Sequence, residues 1–256
     1  ADEYYRGPIK RNHTATHLLH AALKTVLGNQ VQQAGSLVHP DYLRFDLTYF
    51  EKITADQLRE IENLVNSQIL LNNNLEVSIK SYDEAMKDGV VALFGEKYGD
   101  QVRVVSAGDF TSELCGGTHV ERTGDIGLFK ITEESSLASG VRRIVAVTGN
   151  AALELFQKKS DTLSEIQYKM NCKEEDLSER IIQLYNDKKE LEKKLKELIQ
   201  SNESDIGLWV DNSQKIGDSN FVIELLEISD VDDLKRSGDK LLAQIDSGIG
   251  VLFSSG

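Results

Sequence analysis

Asn12-His-Thr-Ala-Thr-His-Leu-Leu-His20 is the stretch from which the rest of the chain can be read. His13 and His17 stand four residues apart, and on an α-helix positions i and i+4 share one face a turn apart, so both imidazoles can reach one ion. The surroundings are helical in character, with Asn12 as a candidate N-cap, His13–Val26 as the body and Gly28 as the stop. Far downstream, Cys115-Gly-Gly-Thr-His119 adds a thiolate and a third imidazole, with two glycines permitting a tight turn between them. His13, His17, Cys115 and His119 together form a nitrogen/sulfur set suited to tetrahedral Zn²⁺. The thiolate leaves such a site with a net charge near +1, which favours a nucleophilic water or a carbonyl oxygen nearby. Either half alone is more often plain surface or packed core; the pairing of the two carries the reading. A metalloprotease helix fails on one residue, because the general base should follow the first histidine and Thr14 stands there. His20 reads as packing or solvent, and His39 beside Pro40 as loop.

Outward from that helix, three textures follow. Up to about Gly149, short apolar runs alternate with glycine-rich turns and a few helical segments, which predicts an α+β domain over residues 1–150. Leu58, Ile61, Leu64, Val65 and Ile69 recur at helical spacing within Ala55–Asn72. Strands are predicted at Leu43–Leu47, Leu75–Ser81, Val102–Ser106, Ile126–Glu133 and Val141–Thr148, while Gln32–Ser36 reads as a polar turn. Residues 151–204 change to charged helix. Leu177, Leu184, Leu191 and Leu198 repeat every seven residues, Ile181 and Leu195 fill the intervening seam, and Lys188 interrupts it. Phe156, Leu163 and Met170 form a second, shorter repeat ahead of the polar break Asn171–Glu175. Two antiparallel helices, or a helix pair offered to another chain, would bury these stripes in a helical hairpin or coiled coil. Residues 205–256 read as a partial small α/β domain: strand Phe221–Ile228, helix Val231–Ile245, strand Gly248–Ser254. So thin a unit predicts more chain beyond it in the natural protein.

Composition narrows the function classes. The 256 residues are 40% hydrophobic and 28% charged, enough apolar material for real cores. No apolar span of membrane length is present, and no signal-peptide pattern opens the chain, so a soluble cytoplasmic protein is expected. Two distant cysteines, Cys115 and Cys172, exclude a disulfide framework and suit a reducing compartment. The net charge of -13 argues against unaided, sequence-blind nucleic-acid binding, though not against a local basic patch. Arg142 and Arg143, with Arg6, Lys10 and Arg11 near the first helix, are the candidates for phosphate contact.

The segments NHTATHLLHAAL (12–23), QAGSLV (33–38), LRFD (43–46), ALFGEKYGD (92–100), ELCGGTHV (113–120) and GVRRIVAVTG (140–149) resemble, in order and spacing, the editing domain of alanyl-tRNA synthetases. The heptad helices and the small α/β piece resemble the C-terminal region of that family, which carries dimerisation and tRNA contacts. The resemblance implies a segment without the aminoacylation domain. It also implies hydrolytic editing of Ser-tRNA(Ala) and Gly-tRNA(Ala), the acceptor end of tRNA(Ala) as partner, and a homodimer through the C-terminal helices. By motif position, His13, His17, Cys115 and His119 hold Zn²⁺, Thr16 meets the substrate hydroxyl, and Gln33 is the second pocket residue. Arg143 corresponds to the arginine near the terminal adenosine, and Arg142, Lys10 and Arg11 are the further tRNA contacts. Four protein ligands make a closed set, so the metal activates water, orients the aminoacyl group, or is structural in a non-catalytic tRNA-binding and dimerisation module.

Overall fold

A computed structural model describes residues 3–92, 98–226, 231–245 and 247–254. The elements are helix α1 (Glu3–Leu27), strands β1 (Gln33–Val38) and β2 (Leu43–Thr48), helix α2 (Ala55–Leu70), strand β3 (Leu75–Ser81), helix α3 (Tyr82–Lys87), strands β4 (Gln101–Ala107) and β5 (Thr111–Leu114), strands β6 (Phe129–Ala138) and β7 (Val141–Thr148), helix α4 (Gly149–Met170), helix α5 (Leu177–Asp211), strands β8 (Gln214–Ile216) and β9 (Ser219–Leu226), helix α6 (Val231–Gln244) and strand β10 (Gly248–Ser254). The class is α+β. The chain divides into two compact units, Ala1–Ser164 and Glu165–Gly256. The predicted ALFGEKYGD segment lies partly outside the described residues, as do the last two positions of the predicted strand at 221–228.

In the first unit, β1-β2-β7-β6 form one antiparallel sheet and β3-β4-β5 another. Leu18, Leu19 and Leu23 of α1 pack with Leu43, Phe45 and Leu47 of β2, Ile61 and Val65 of α2, Phe129 of β6 and Ile144 of β7, all fully buried. Burial of one such side chain stabilises by about 1.5–3 kcal/mol, so this cluster sets the position of α1. A smaller cluster, Ala85, Val90, Val102, Val104 and Leu114, backs the second sheet. Ala107 of β4 belongs to the first cluster, which so ties α1 to the second sheet.

Two local predictions are corrected. Asn12 is not an N-cap, because α1 begins nine residues earlier and runs through Pro8. Asn12 is instead buried inside the helix. Its Nδ2 donates to the carbonyls of His39 (2.6 Å) and Pro40 (3.2 Å), and its Oδ1 accepts from Thr148 Oγ1 at 2.7 Å. Tertiary hydrogen bonds have taken the polar side chain that capping would have used. The QAGS run is likewise a strand rather than a turn. β1 pairs with β2 at the sheet edge, where small polar residues are tolerated, with a register irregularity between Gln33 and Gly35.

In the second unit, β9 and β10 are parallel, joined by α6, and β8 adds antiparallel to β9. Val222, Leu241 and Ile206 form its core. Burial of Ile206 explains why α5 continues to Asp211, past the predicted end of the charged helix. Along α5, Ile181, Leu184, Leu191 and Leu195 remain exposed, and the seam residue Lys188 pairs with Glu192 at 3.5 Å. Among the described residues no helix is long and apolar enough to cross a membrane.

Candidate metal centre and the residues that orient it

α1 places His13, His17 and His20 on one stripe at i, i+4 and i+7. Opposite them, β5 and the loop after it carry Glu113, Cys115 and His119. The ligand atoms of His13, His17, Cys115 and His119 all lie within 4.8 Å of one another. Cys115 Sγ stands 3.4 Å from His13 Nε2 and 3.3 Å from His119 Nε2. A tetrahedral Zn²⁺ with ordinary bond lengths needs S···N edges of about 3.6 Å and N···N edges of about 3.3 Å, so the four residues fit that ion.

Each imidazole is held from behind. His13 Nδ1 lies 3.1 Å from the Thr118 carbonyl, which can only accept, so the proton sits on Nδ1. His17 Nδ1 faces Glu113 Oε2 at 3.1 Å, again an acceptor. His119 Nδ1 lies 3.1 Å from Thr14 Oγ1, whose own proton is given to the Lys10 carbonyl at 3.0 Å. The Thr14 hydroxyl therefore accepts from His119, and also from the Val120 N–H at 3.3 Å. All three tautomers leave Nε2 as the free lone pair, the state a metal requires.

Backbone geometry supports the loop. A Cβ on Gly117 would stand 2.2 Å from His13 Cε1, whereas one on Gly116 would meet nothing. The Gly117 N–H donates to Cys115 Sγ at 3.4 Å, which favours the thiolate. Arg103 Nη1 donates to the carbonyls of Cys115 (2.8 Å) and Gly117 (2.7 Å), clamping the turn.

Burial favours the neutral form of all three imidazoles. Burial, then the field of His17, lowers the His13 pKa to about 4. Burial, then His17 and His13, lowers that of His119 to about 2. Burial also lowers His17, with Glu113 opposing. For Glu113, burial pushes upward, but the hydrogen bond from His20 and the neighbouring imidazoles prevail and hold the carboxyl below its usual range.

The other predicted site residues are placed as follows. Thr16 is buried on α1, and its hydroxyl donates to the Asn12 carbonyl at 2.8 Å. Gln33, in edge strand β1, donates from Nε2 to Ser36 Oγ at 3.1 Å. Arg143 makes a bidentate pair with Asp46 at 2.7 and 2.9 Å, and Arg142 Nε binds Glu134 at 2.6 Å. Lys10 and Arg11 are half-buried on α1, and Arg11 Nε is without a hydrogen-bond partner among the described residues. Sequence reasoning missed Glu113, Thr14 and Arg103, and it took His20 for packing or solvent. His20 is buried, and its Nδ1 lies 2.9 Å from Glu113 Oε1. The i+3 spacing of His20 from His17 was the available signal.

Residues 102–145, which hold β4, β5, the Cys115–His119 loop and much of the β6–β7 hairpin, match the family described as the threonyl and alanyl tRNA synthetase second additional domain. The matched stretch carries two of the four clustered His/Cys side chains, Cys115 and His119. The chain is 47% identical over 257 residues to the alanine–tRNA ligase of Alkaliphilus oremlandii, and 46% identical over 253 residues to that of Thermotoga maritima; each alignment covers 99% of this chain and 29% of the relative. The alanine–tRNA ligase of Fervidobacterium nodosum is 45% identical over 255 residues, with the same coverage. The chain is a homologue of the alanine–tRNA ligases and spans less than a third of the length of these relatives.

Proposed function

We propose that residues 1–150 form a zinc-dependent editing domain that hydrolyses the ester of tRNA(Ala) mischarged with serine or glycine. The carrying observation is the convergence of His13, His17, Cys115 and His119 from α1 and the post-β5 loop within 4.8 Å of one another, with an acceptor behind every Nδ1. Bound Zn²⁺ would supply positive charge to a carbonyl oxygen or a water.

Such a site answers a specificity problem. A small activation pocket cannot reject serine strongly, and cannot exclude glycine by size. The editing pocket must accept serine and spare alanine. Thr16 has given its hydroxyl proton to Asn12, so towards substrate its oxygen is an acceptor, matched to the hydroxyl of a seryl group. Alanine would forgo that one hydrogen bond, at about 0.5–1.5 kcal/mol, or roughly 2- to 12-fold in rate. Gln33 is the second pocket residue. Arg142, Arg143, Lys10 and Arg11 form the contact to the acceptor end, residues 151–204 and 205–256 are the accessory helical and α/β segments, and the exposed α5 stripe is the homodimer seam of a cytoplasmic protein.

The test is deacylation at saturating substrate. Serine should be released from Ser-tRNA(Ala) well above the Cys115→Ala background, with Ala-tRNA(Ala) spared; release equal to that background overturns the reading. A second reading, a structural zinc in a non-catalytic tRNA-binding module, is favoured by the closed set of four protein ligands. It predicts stoichiometric zinc and tRNA binding with no turnover.

A further inference from the structure

The Glu113 carboxylate is 4% exposed and bridges two imidazoles of α1, with Oε2 at 3.1 Å from His17 Nδ1 and Oε1 at 2.9 Å from His20 Nδ1. Thr111 Oγ1 adds a long contact of 3.5 Å to Oε1. His20 Nε2 is buried without a hydrogen-bond partner among the described residues, so the bond to Glu113 is the polar anchor of that ring. We propose that Glu113 is a positioning residue that fixes His17 in the Nδ1–H tautomer, keeping Nε2 turned to the metal, while His20 holds the carboxylate in register. This rests on the metal reading of the site.

The chemistry requires a carboxylate here. Two acceptor oxygens can serve two N–H donors at once, whereas an amide offers one acceptor and one donor. With Gln at 113, the NH₂ group would face an Nδ1–H. One imidazole must then move its proton to Nε2 or lose its bond. On His17 that proton would block the metal; on His20 it would become a buried donor with no partner. The buried negative charge also offsets the cation, so Cys115 and Glu113 together would balance a divalent ion.

The experiment uses the full chain with Glu113→Gln and Glu113→Asp. Zinc affinity is read by competition with a chromophoric chelator, and the histidine tautomers of the metal-free protein by two-bond ¹⁵N–¹H NMR. In the unsubstituted protein, His17 should be protonated at Nδ1. Glu113→Gln should weaken zinc binding by about 10- to 100-fold and give an Nε2-protonated population of His17 or His20; Glu113→Asp, keeping two acceptors, should restore the Nδ1–H state. Unchanged zinc affinity with both rings still Nδ1–H in Glu113→Gln overturns the proposal. If that variant does not fold, the unsubstituted protein decides alone, since His17 protonated at Nε2 overturns it equally. Failure of the unsubstituted chain to bind zinc at all would instead sink the metal reading, and the tautomer of His17 would still judge Glu113.

Discussion

Gly117 lies directly against the His13 ring: a Cβ on it would sit 2.2 Å from Cε1 and 2.8 Å from Nδ1. The adjacent Gly116 has open space at the same position. The Cys-Gly-Gly-Thr-His segment therefore contains one glycine that the position of the His13 ring requires and one that it does not. Gly117→Ala should displace His13 and weaken zinc binding by about tenfold or more, while Gly116→Ala should leave it within about twofold. Chelator competition on the two variants checks this, and equal effects would count against the steric account.

Arg103 joins the second sheet to the ligand loop through one nitrogen and two carbonyls. Hydrogen bonds from a charged donor contribute about 1.5–3 kcal/mol each. Arg103→Met should lower stability by roughly 2–4 kcal/mol in urea denaturation and increase amide exchange at Gly116 and Gly117. A loop as protected as before would show that the clamp is dispensable.

The depressed histidines give the metal-free protein a defined acid response. Their native pKa values, about 4 for His13 and about 2 for His119, lie below the ordinary 6.5 of an unfolded histidine. Between these values the unfolded chain binds more protons than the native one, so stability falls as pH falls. Tm should be level above pH 7, should begin to drop near 6.5, and should drop less steeply below about 4, where His13 charges in the native state while His119 stays neutral to about 2. His13→Gln should flatten part of that slope. A level Tm from pH 7 to 5 would contradict the burial of neutral imidazoles.

Arg142 and Arg143 enter any tRNA complex already paired with Glu134 and Asp46. Each neutralised phosphate contributes roughly 0.7–0.9 to the slope of log affinity against log salt. With a chain of net charge -13, the total slope for tRNA(Ala) should be shallow, and Arg143→Gln should change it by well under one contact. Fluorescence anisotropy across a salt series measures both, and a loss of a full unit would mean that the Asp46 pair breaks on binding.

The α+β class, the β-α-β piece near the end and strands β3, β7 and β10 were readable because each rests on a local period or on turn residues. The bounds of Leu75–Ser81, Val141–Thr148 and Gly248–Ser254 agree with the structure at both ends. The start of α1 and the length of α5 were not readable. Asn12 looks like a cap until Thr148, His39 and Pro40 occupy it, and the end of α5 depends on Ile206 finding Val222 and Leu241.

By itself, the order of residues determined which atoms could meet a metal: spacing on a helix puts His13 and His17 on one face, and two glycines let Cys115 and His119 turn towards each other. Only the tertiary structure decided that the two halves meet, and which nitrogen each ring presents. A tautomer is set by the acceptor behind the ring, and Glu113, Thr14 and the Thr118 carbonyl reach those positions only once α1 packs against β5. That packing is governed by leucines whose own sequence says nothing about zinc.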